Sequence, residues 1–399
     1  MAQFVPQRRA RRGTSAPVLL DHTHMIKGSI DWLSFSAALA LSAVGLVTMS
    51  TFVQEDPFFS RQIVWIGIGV FVFFIASRID WRLLRRSGVA VSVYATVLAL
   101  LFALFAIGQT IQGAQSWFDF GPFAFQPVEF AKLALIIVLA KYFSRRHTEI
   151  RNIRHILVSG GYAGAVFVLV ALQPDFGSAL IIFAIWLGMV LASGISKWHL
   201  ASLFLAGTVV LGGLWLFGFH EYQKERILTF LHPLADIHGA GYNAYQSTVA
   251  VGSGELVGKG IGYGSQSKLR FLPEYQTDFI FAAFAEEWGF VGTCIIFLLY
   301  GMLFFRIAWM AACGATNFET LFGYGVLFYL FTHFVLHVGI NMGLLPVTGT
   351  TIPFMSYGGS HILVEFVSLG ILSSMHRYGR ATPREALQKE FSGGYDLLK

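Results

Sequence analysis

The stretch FLPEYQTDFIF places Glu274 and Asp278 four residues apart, where a polar segment gives way to an apolar one. An ionised carboxylate in lipid costs about 2.5–3.5 kcal/mol on insertion scales, so two acids at such a boundary need a reason. Pro273 ends one structure, Thr277 can cap a helix continuing as DFIFAAFAEEWGF, and Asp278 then falls in that helix's first turn. A first-turn acid is ordinary helix electrostatics. A carboxylate at the water boundary can also serve as a general base toward a hydroxyl. From this segment alone both readings stand. Deeper come Glu286 and Glu287. At 100° per residue Glu286 sits about 80° around from Asp278 and about 12 Å further in, and Glu287 faces away. Adjacent acids inside a span need partners, and Lys132 is a candidate partner for one of them.

The elements that must hold these groups follow from composition. The 399 residues are 55% hydrophobic and only 13% charged, against about 25% charged in soluble domains. That is too little polar surface to coat a soluble protein, and it indicates one polytopic membrane domain. The net charge of +6 needs no nucleic acid, because basic excess in membrane proteins collects in cytoplasmic loops. Cys294 and Cys313 fit no metal or disulfide spacing. Ten apolar spans are expected, at 32–53, 62–77, 88–108, 127–143, 156–173, 177–194, 201–219, 277–305, 319–343 and 356–375. The first is too long for a signal-peptide core and is read as retained. Arg8 to Arg12 precede span one, and every even-numbered span is followed by basic residues. Both termini are therefore expected inside, with a basic tail at 1–30, a membrane domain at 31–380 and a polar tail at 381–399.

The outer connection at 220–276 is long, Gly-rich and charged. Long ordered loops are usually functional, and the glycines of VGSGELVGKGIGYGSQ suit tight turns and close backbone approach. Two other outer turns, FQPVEFAK and LQPDFGSA, each put Gln-Pro at a helix start with an acid after it. Helix-start chemistry explains both, but not Lys132, one turn deeper and able to pair with Glu129. In NMGLLPVTGTTIPFMSYGGS, Gly343, Pro346, Gly349, Pro353, Gly358 and Gly359 break the backbone repeatedly. Irregular backbone at membrane depth survives only where protein or a watery cavity covers it, so this reads either as a tight loop or as a re-entrant wall of a polar cavity that includes Ser356. His333 and His337 have metal-compatible spacing, yet no third ligand is in view, and packed histidines bonded to a neighbouring helix are expected. Basic groups beside a carboxylate at the outer leaflet suit a lipid-linked anion: Arg and Lys hold pyrophosphate, and a carboxylate accepts a sugar hydroxyl's proton. A transporter would place its polar groups near the midplane.

With these segments assembled, the chain resembles the SEDS family (shape, elongation, division and sporulation), and its RodA-like branch in particular. The resemblance rests on GAQSWFDFGPFAFQPVEFAKL, LQPDFGSAL, GYNAYQSTVAVGSGELVGKGIG, GSQSKLRFLPEYQTDFIFAAFAEEWGFVG and GLLPVTGTTIPFMSYGGS, in that order. It implies an all-α membrane protein of about ten helices with a large outer loop between the seventh and eighth. It also implies a peptidoglycan glycosyltransferase that polymerises lipid II at the outer face of the cytoplasmic membrane, in elongation or division. An undecaprenyl-pyrophosphate-linked glycan and a class B penicillin-binding protein would be its partners, along with other elongation or division proteins. The family's essential acid falls on Asp278. Trp117, Gln126, Glu129, Lys132 and Asp175 match family positions. Arg226, Gln266, Lys268, Arg270 and Glu274 complete the expected substrate-binding set. Glu286, Glu287, Pro346, Ser356, Gly358 and Gly359 are expected to shape the cavity. No metal site is readable, and a divalent cation (Mg or Mn) is left open as a helper. Three departures stand out. Gln276 replaces a common His, His361 replaces a Ser after Tyr-Gly-Gly, and SGEL at Ser253 to Leu256 replaces a Ser-Gly-Gly run. A lipid II flippase and a non-enzymatic scaffold for the penicillin-binding protein are the alternatives.

Overall fold

Long apolar runs bounded by charged or turn residues can satisfy their backbone in lipid only as helices, and the protein is built that way. The computed structural model describes residues 30–51, 57–111, 114–121, 124–145, 153–213, 215–216, 224, 228–231, 241–269, 271–272 and 274–381. Among these residues ten helices have 17 residues or more: α1 (Trp32–Ser50), α2 (Pro57–Ala76), α3 (Ser87–Ile107), α4 (Pro127–Ser144), α5 (Ile153–Leu172), α6 (Phe176–Ala192), α7 (Lys197–Gly213), α10 (Ile280–Ala312), α11 (Asn317–Asn341) and α12 (Gly359–Ala381). Two shorter helices, α8 (Tyr242–Ser253) and α9 (Ser265–Lys268), belong to the loop between α7 and α10. Six of the long helices are apolar enough over 18 residues to cross a membrane on composition alone. The departure of α4 has a plain cause: Glu129, Lys132 and Lys141 all lie within its 18 residues.

The charged helix α4 is well enclosed, with 14 of its 18 residues buried. It packs with α11, α3, α5, α6 and α12, so protein rather than lipid surrounds its charges. The edge helices show the opposite pattern: Trp198, Phe204 and Leu205 of α7 and Phe71 of α2 are exposed, as lipid-facing side chains must be. At the other end of the bundle Asp31 caps α1 and forms a 2.7 Å ion pair with Arg306 of α10.

The turn between α3 and α4 adds something the helical reading did not contain. It is a small antiparallel sheet of β1 (Gln109–Ile111), β2 (Ala114–Asp119) and β3 (Ala124–Phe125), in the order β1-β2-β3. Gln109 lies opposite Trp117, and Phe118 opposite Phe125.

Candidate functional site

Asp278 stands just outside α10. The helix begins at Ile280, and its N-cap, Phe279, offers no side-chain cap. The expectation that Thr277 caps the helix and that Asp278 lies in its first turn is therefore corrected. Thr277 instead turns its hydroxyl back on the Glu274 carbonyl, which also receives the amides of Thr277, Asp278 and Phe279. This knot places Glu274 at φ +48°, left-handed backbone that an L-residue holds only when its surroundings compel it. The segment is pinned from outside as well. The amide of Tyr357 donates to the Gln276 carbonyl at 2.9 Å, and the Ser356 hydroxyl donates to that of Thr277 at 2.8 Å. Gly349, at φ +69°, sits so close that a Cβ there would lie 3.3 Å from an Asp278 carboxylate oxygen. Asp278 itself is half-buried.

The backbone of 343–358 is irregular, and side chains satisfy it. His337 bonds the Thr350 carbonyl at 2.6 Å and His333 that of Thr351 at 3.1 Å. The Phe354 amide donates to Glu365 at 2.8 Å. Gln62 of α2 donates to the Ser356 carbonyl and accepts from the Gly358 amide. At Gly359 any Cβ would strike the Trp65 ring. The histidines are packed, as expected: both bond this segment, and His333 also meets the Lys132 ammonium of the neighbouring helix α4. Pro346 lies in the same segment, half-buried.

Beneath the segment lies a cluster of charges. Lys132 pairs with Glu129 at 2.7 Å, and both are almost wholly buried. The same ammonium lies 3.1 Å from His333 Nε2. An ammonium only donates, so that nitrogen accepts, and Nδ1–H is left to donate to Thr351: His333 is neutral. His361 faces Glu129 with Nδ1 at 3.0 Å and Glu365 with Nε2 at 2.9 Å. Carboxylate oxygens flank both nitrogens, a setting that favours the imidazolium. Tyr329 donates to the second Glu129 oxygen at 3.1 Å. Two carboxylates thus face two cations inside the bundle. Glu129, His333 and His361 could in principle ligate a metal, their ligand atoms lying within 4.8 Å of one another. The Lys132 ammonium already lies against two of the three.

Lys132 is therefore not the partner of Glu286 or Glu287; its own helix supplies Glu129 three residues before it. Those two acids have another task. Helix α10 breaks at Gly289 (φ +65°, ψ −163°), which strands carbonyls on one side and amides on the other. The loop between α7 and α10 repairs both ends. The amides of Lys259 and Gly260 donate to the carbonyls of Glu286 and Glu287 at 3.0 Å each. The amides of Phe290 and Val291 donate to the carbonyls of Glu255 and Leu256. Gly254, Gly258 and Gly289 lie against backbone where any Cβ would collide. The buried Glu286 carboxylate accepts from Lys259 Nζ at 2.7 Å and from the Ser265 amide at 2.9 Å, and also from the Gln266 amide. Glu287 accepts from the Gly262 amide at 3.0 Å. Glu255 sits at φ +46°, where the SGEL departure puts a side chain on left-handed backbone.

The remaining expected residues divide. Asp175 is the N-cap of α6, accepting from the Ser178 amide at 3.0 Å, so the ordinary helix-start reading accounts for it. Gln126 is the N-cap of α4, and its amide donates to Ser360. Trp117 is half-buried on β2. Lys268 is exposed at the end of α9, 6.0 Å over the Tyr263 ring. Arg226 and Arg270 lie outside the described residues. Sequence reasoning missed Asn341 and Gln62, buried amides that bond this backbone; the visible signal was a polar side chain at the end of an apolar span.

Comparison with known proteins places this geometry. Residues 24–381 match the FtsW/RodA/SpoVE family model, described as cell cycle protein. The chain belongs to this family. It is 37% identical over 350 residues to the peptidoglycan glycosyltransferase MrdB of Escherichia coli (strain K12), covering 86% of this chain and 91% of that one. It is 33% identical to stage V sporulation protein E of Bacillus subtilis (strain 168), over 89% of this chain and 99% of the relative. Among solved structures it resembles a chain of a peptidoglycan synthase complex that coordinates polymerization and crosslinking, with a TM-score of 0.77 at 30% identity, covering 89% of this chain and 99% of the other. It also resembles the Rod shape determining protein RodA of Thermus thermophilus, with a TM-score of 0.67 at 29% identity, over 88% and 97% of the two chains. This family member is a multi-pass membrane protein.

Proposed function

We infer that this protein is a peptidoglycan glycosyltransferase that polymerises lipid II into glycan strands at the outer face of the cytoplasmic membrane, in the service of cell shape or division. The observation that carries the mechanism is the setting of Asp278: half-buried, in a turn whose backbone is bonded by Ser356 and Tyr357 and whose carboxylate lies against Gly349. Glu129, Glu286 and Glu365 are almost wholly buried and bonded to protein partners, whereas Asp278 is half-buried.

Asp278 takes the proton of the acceptor sugar's 4-hydroxyl. The freed oxygen bonds to the anomeric carbon of the lipid-linked donor, the bond from that carbon to the pyrophosphate oxygen breaks, and undecaprenyl pyrophosphate departs with the electron pair. An α-linked donor yields a β-linked polymer, so a single base opposite the leaving group suffices. Charge builds on the donor ring as in glycoside hydrolysis. Lys268, with Arg226 and Arg270, serves the leaving pyrophosphate; a divalent cation is a further candidate for that charge. A class B penicillin-binding protein is the natural crosslinking partner, and both termini lie in the cytoplasm.

Incubation of the purified protein, alone and with such a partner, with lipid II in detergent tests this reading. Glycan strands are expected from the wild type and not from D278N. Transfer of labelled lipid II across liposomes without polymer would indicate a flippase, and neither activity would indicate a scaffold.

A further inference from the structure

Helix α10 needs acceptors for its first amides that its own N-cap side chain does not provide. Four amides at a helix N-terminus lack intrahelical partners, and a cap residue normally accepts from one of the second or third. Here the N-cap is Phe279, which has no side-chain acceptor. The third amide, that of Ala282, donates instead to Oδ1 of Asn341 at 3.0 Å, from the last residue of α11. The other end of the same amide group donates to the Asp278 main-chain carbonyl at 2.9 Å and to the His337 carbonyl at 2.8 Å. The Asn341 carbonyl in turn accepts from Ser247 of α8 at 2.9 Å. Asn341 is 0% exposed, so it touches no substrate.

We propose that Asn341 is the positioning residue for Asp278, capping α10 from a different helix and fixing the main chain of the base through the same amide group. The proposal rests on the reading of Asp278 as the base. Geometry gives it its force: the Asn341 primary amide offers an acceptor to Ala282 and a donor to Asp278 from one planar group. The bond to Ser247 ties the position to the outer loop, so α8, α10 and α11 meet at this residue.

The test separates capping from positioning. N341D keeps the size and the acceptor for Ala282 but loses the donor to Asp278, whereas N341A loses both. A reacting group misplaced by about 1 Å can cost roughly 100-fold. On lipid II polymerisation, N341D and N341A are both expected to lower kcat by about 10- to 100-fold, with KM changed little. If N341D turns over like the wild type while N341A is impaired, the residue is a cap only and the proposal falls. It falls equally if the loss is in KM with kcat intact. Should both variants fail to fold, S247A, which removes only the bond to the Asn341 carbonyl, decides: a several-fold drop in kcat supports the proposal and an unchanged kcat overturns it. D278N run alongside keeps the two readings apart. An active D278N defeats the assignment of the base, whereas an inactive D278N beside an active N341D defeats only the positioning.

Discussion

Two groups of ionisable residues touch the 343–358 segment, and they are held in opposite ways. In the buried cluster charge holds charge: Lys132 and His361 stand against Glu129 and Glu365, all four almost wholly buried. Around Asp278 the backbone does the holding, through the Glu274 carbonyl and the bonds from Ser356, Tyr357 and Asn341. The first arrangement spends its carboxylates on structure. The second fixes the chain at Asp278 and leaves the side chain half-buried. A membrane enzyme needs both. The cluster bonds irregular backbone to the bundle, and that backbone lines the place where a base can work.

The sharpest way to break the comparison is to remove one charge from each side. D278N keeps shape and removes the base. Polymerisation should fall by about 10²- to 10⁴-fold, the usual worth of general base catalysis, while thermal stability stays near that of the wild type. K132M should do the reverse of this in kind. It leaves Glu129 buried without its ammonium, and breaking one side of a buried pair costs about 3–5 kcal/mol. A large drop in melting temperature is expected, with partial recovery in the double variant E129Q/K132M. If K132M melts like the wild type and only loses activity, Lys132 belongs with the substrate and not with the scaffold.

The loop between α7 and α10 gives a third, smaller test of backbone against charge. Glu286 accepts from an ammonium and from two backbone amides. E286Q retains one acceptor and places an NH2 group among donors. Hydrogen bonds to a charged group are worth about 1.5–3 kcal/mol. Faster hydrogen exchange is expected across 255–266, with the other long helices unchanged. Unchanged exchange in that segment would mean that the backbone bonds across the Gly289 break hold the loop without the carboxylate.

The ten long helices were legible because apolar run length is a local property of the chain. The Glu129–Lys132 pair was legible too, from three-residue spacing on one helix. What the sequence concealed was long-range. Nothing local says that AEEWG contains a helix break, because the break is stabilised by amides and carbonyls some thirty residues earlier. Glu286 and Glu287 thus looked like intramembrane acids in search of Lys132, when their partners are in the glycine-rich loop. The two Gln-Pro turns looked alike, yet one acid caps a helix and the other is drawn into the buried cluster. His361 could not be assigned because its meaning lies in Glu129, 232 positions away.

The smallest predicted effect concerns Glu255. It occupies left-handed backbone at φ +46°, and its carbonyl accepts the Phe290 amide that the helix break strands. An L-residue in that conformation costs about 1–2 kcal/mol relative to glycine, and the Glu255 side chain is exposed with no compensating burial. E255G is therefore expected to stabilise the loop by about 1 kcal/mol, less the backbone entropy that glycine adds to the unfolded chain. Limited proteolysis of the 253–266 segment should slow in E255G and quicken in E286Q. If E255G instead loosens the loop, the Glu255 side chain contributes there, and charge as well as backbone holds this side of the molecule.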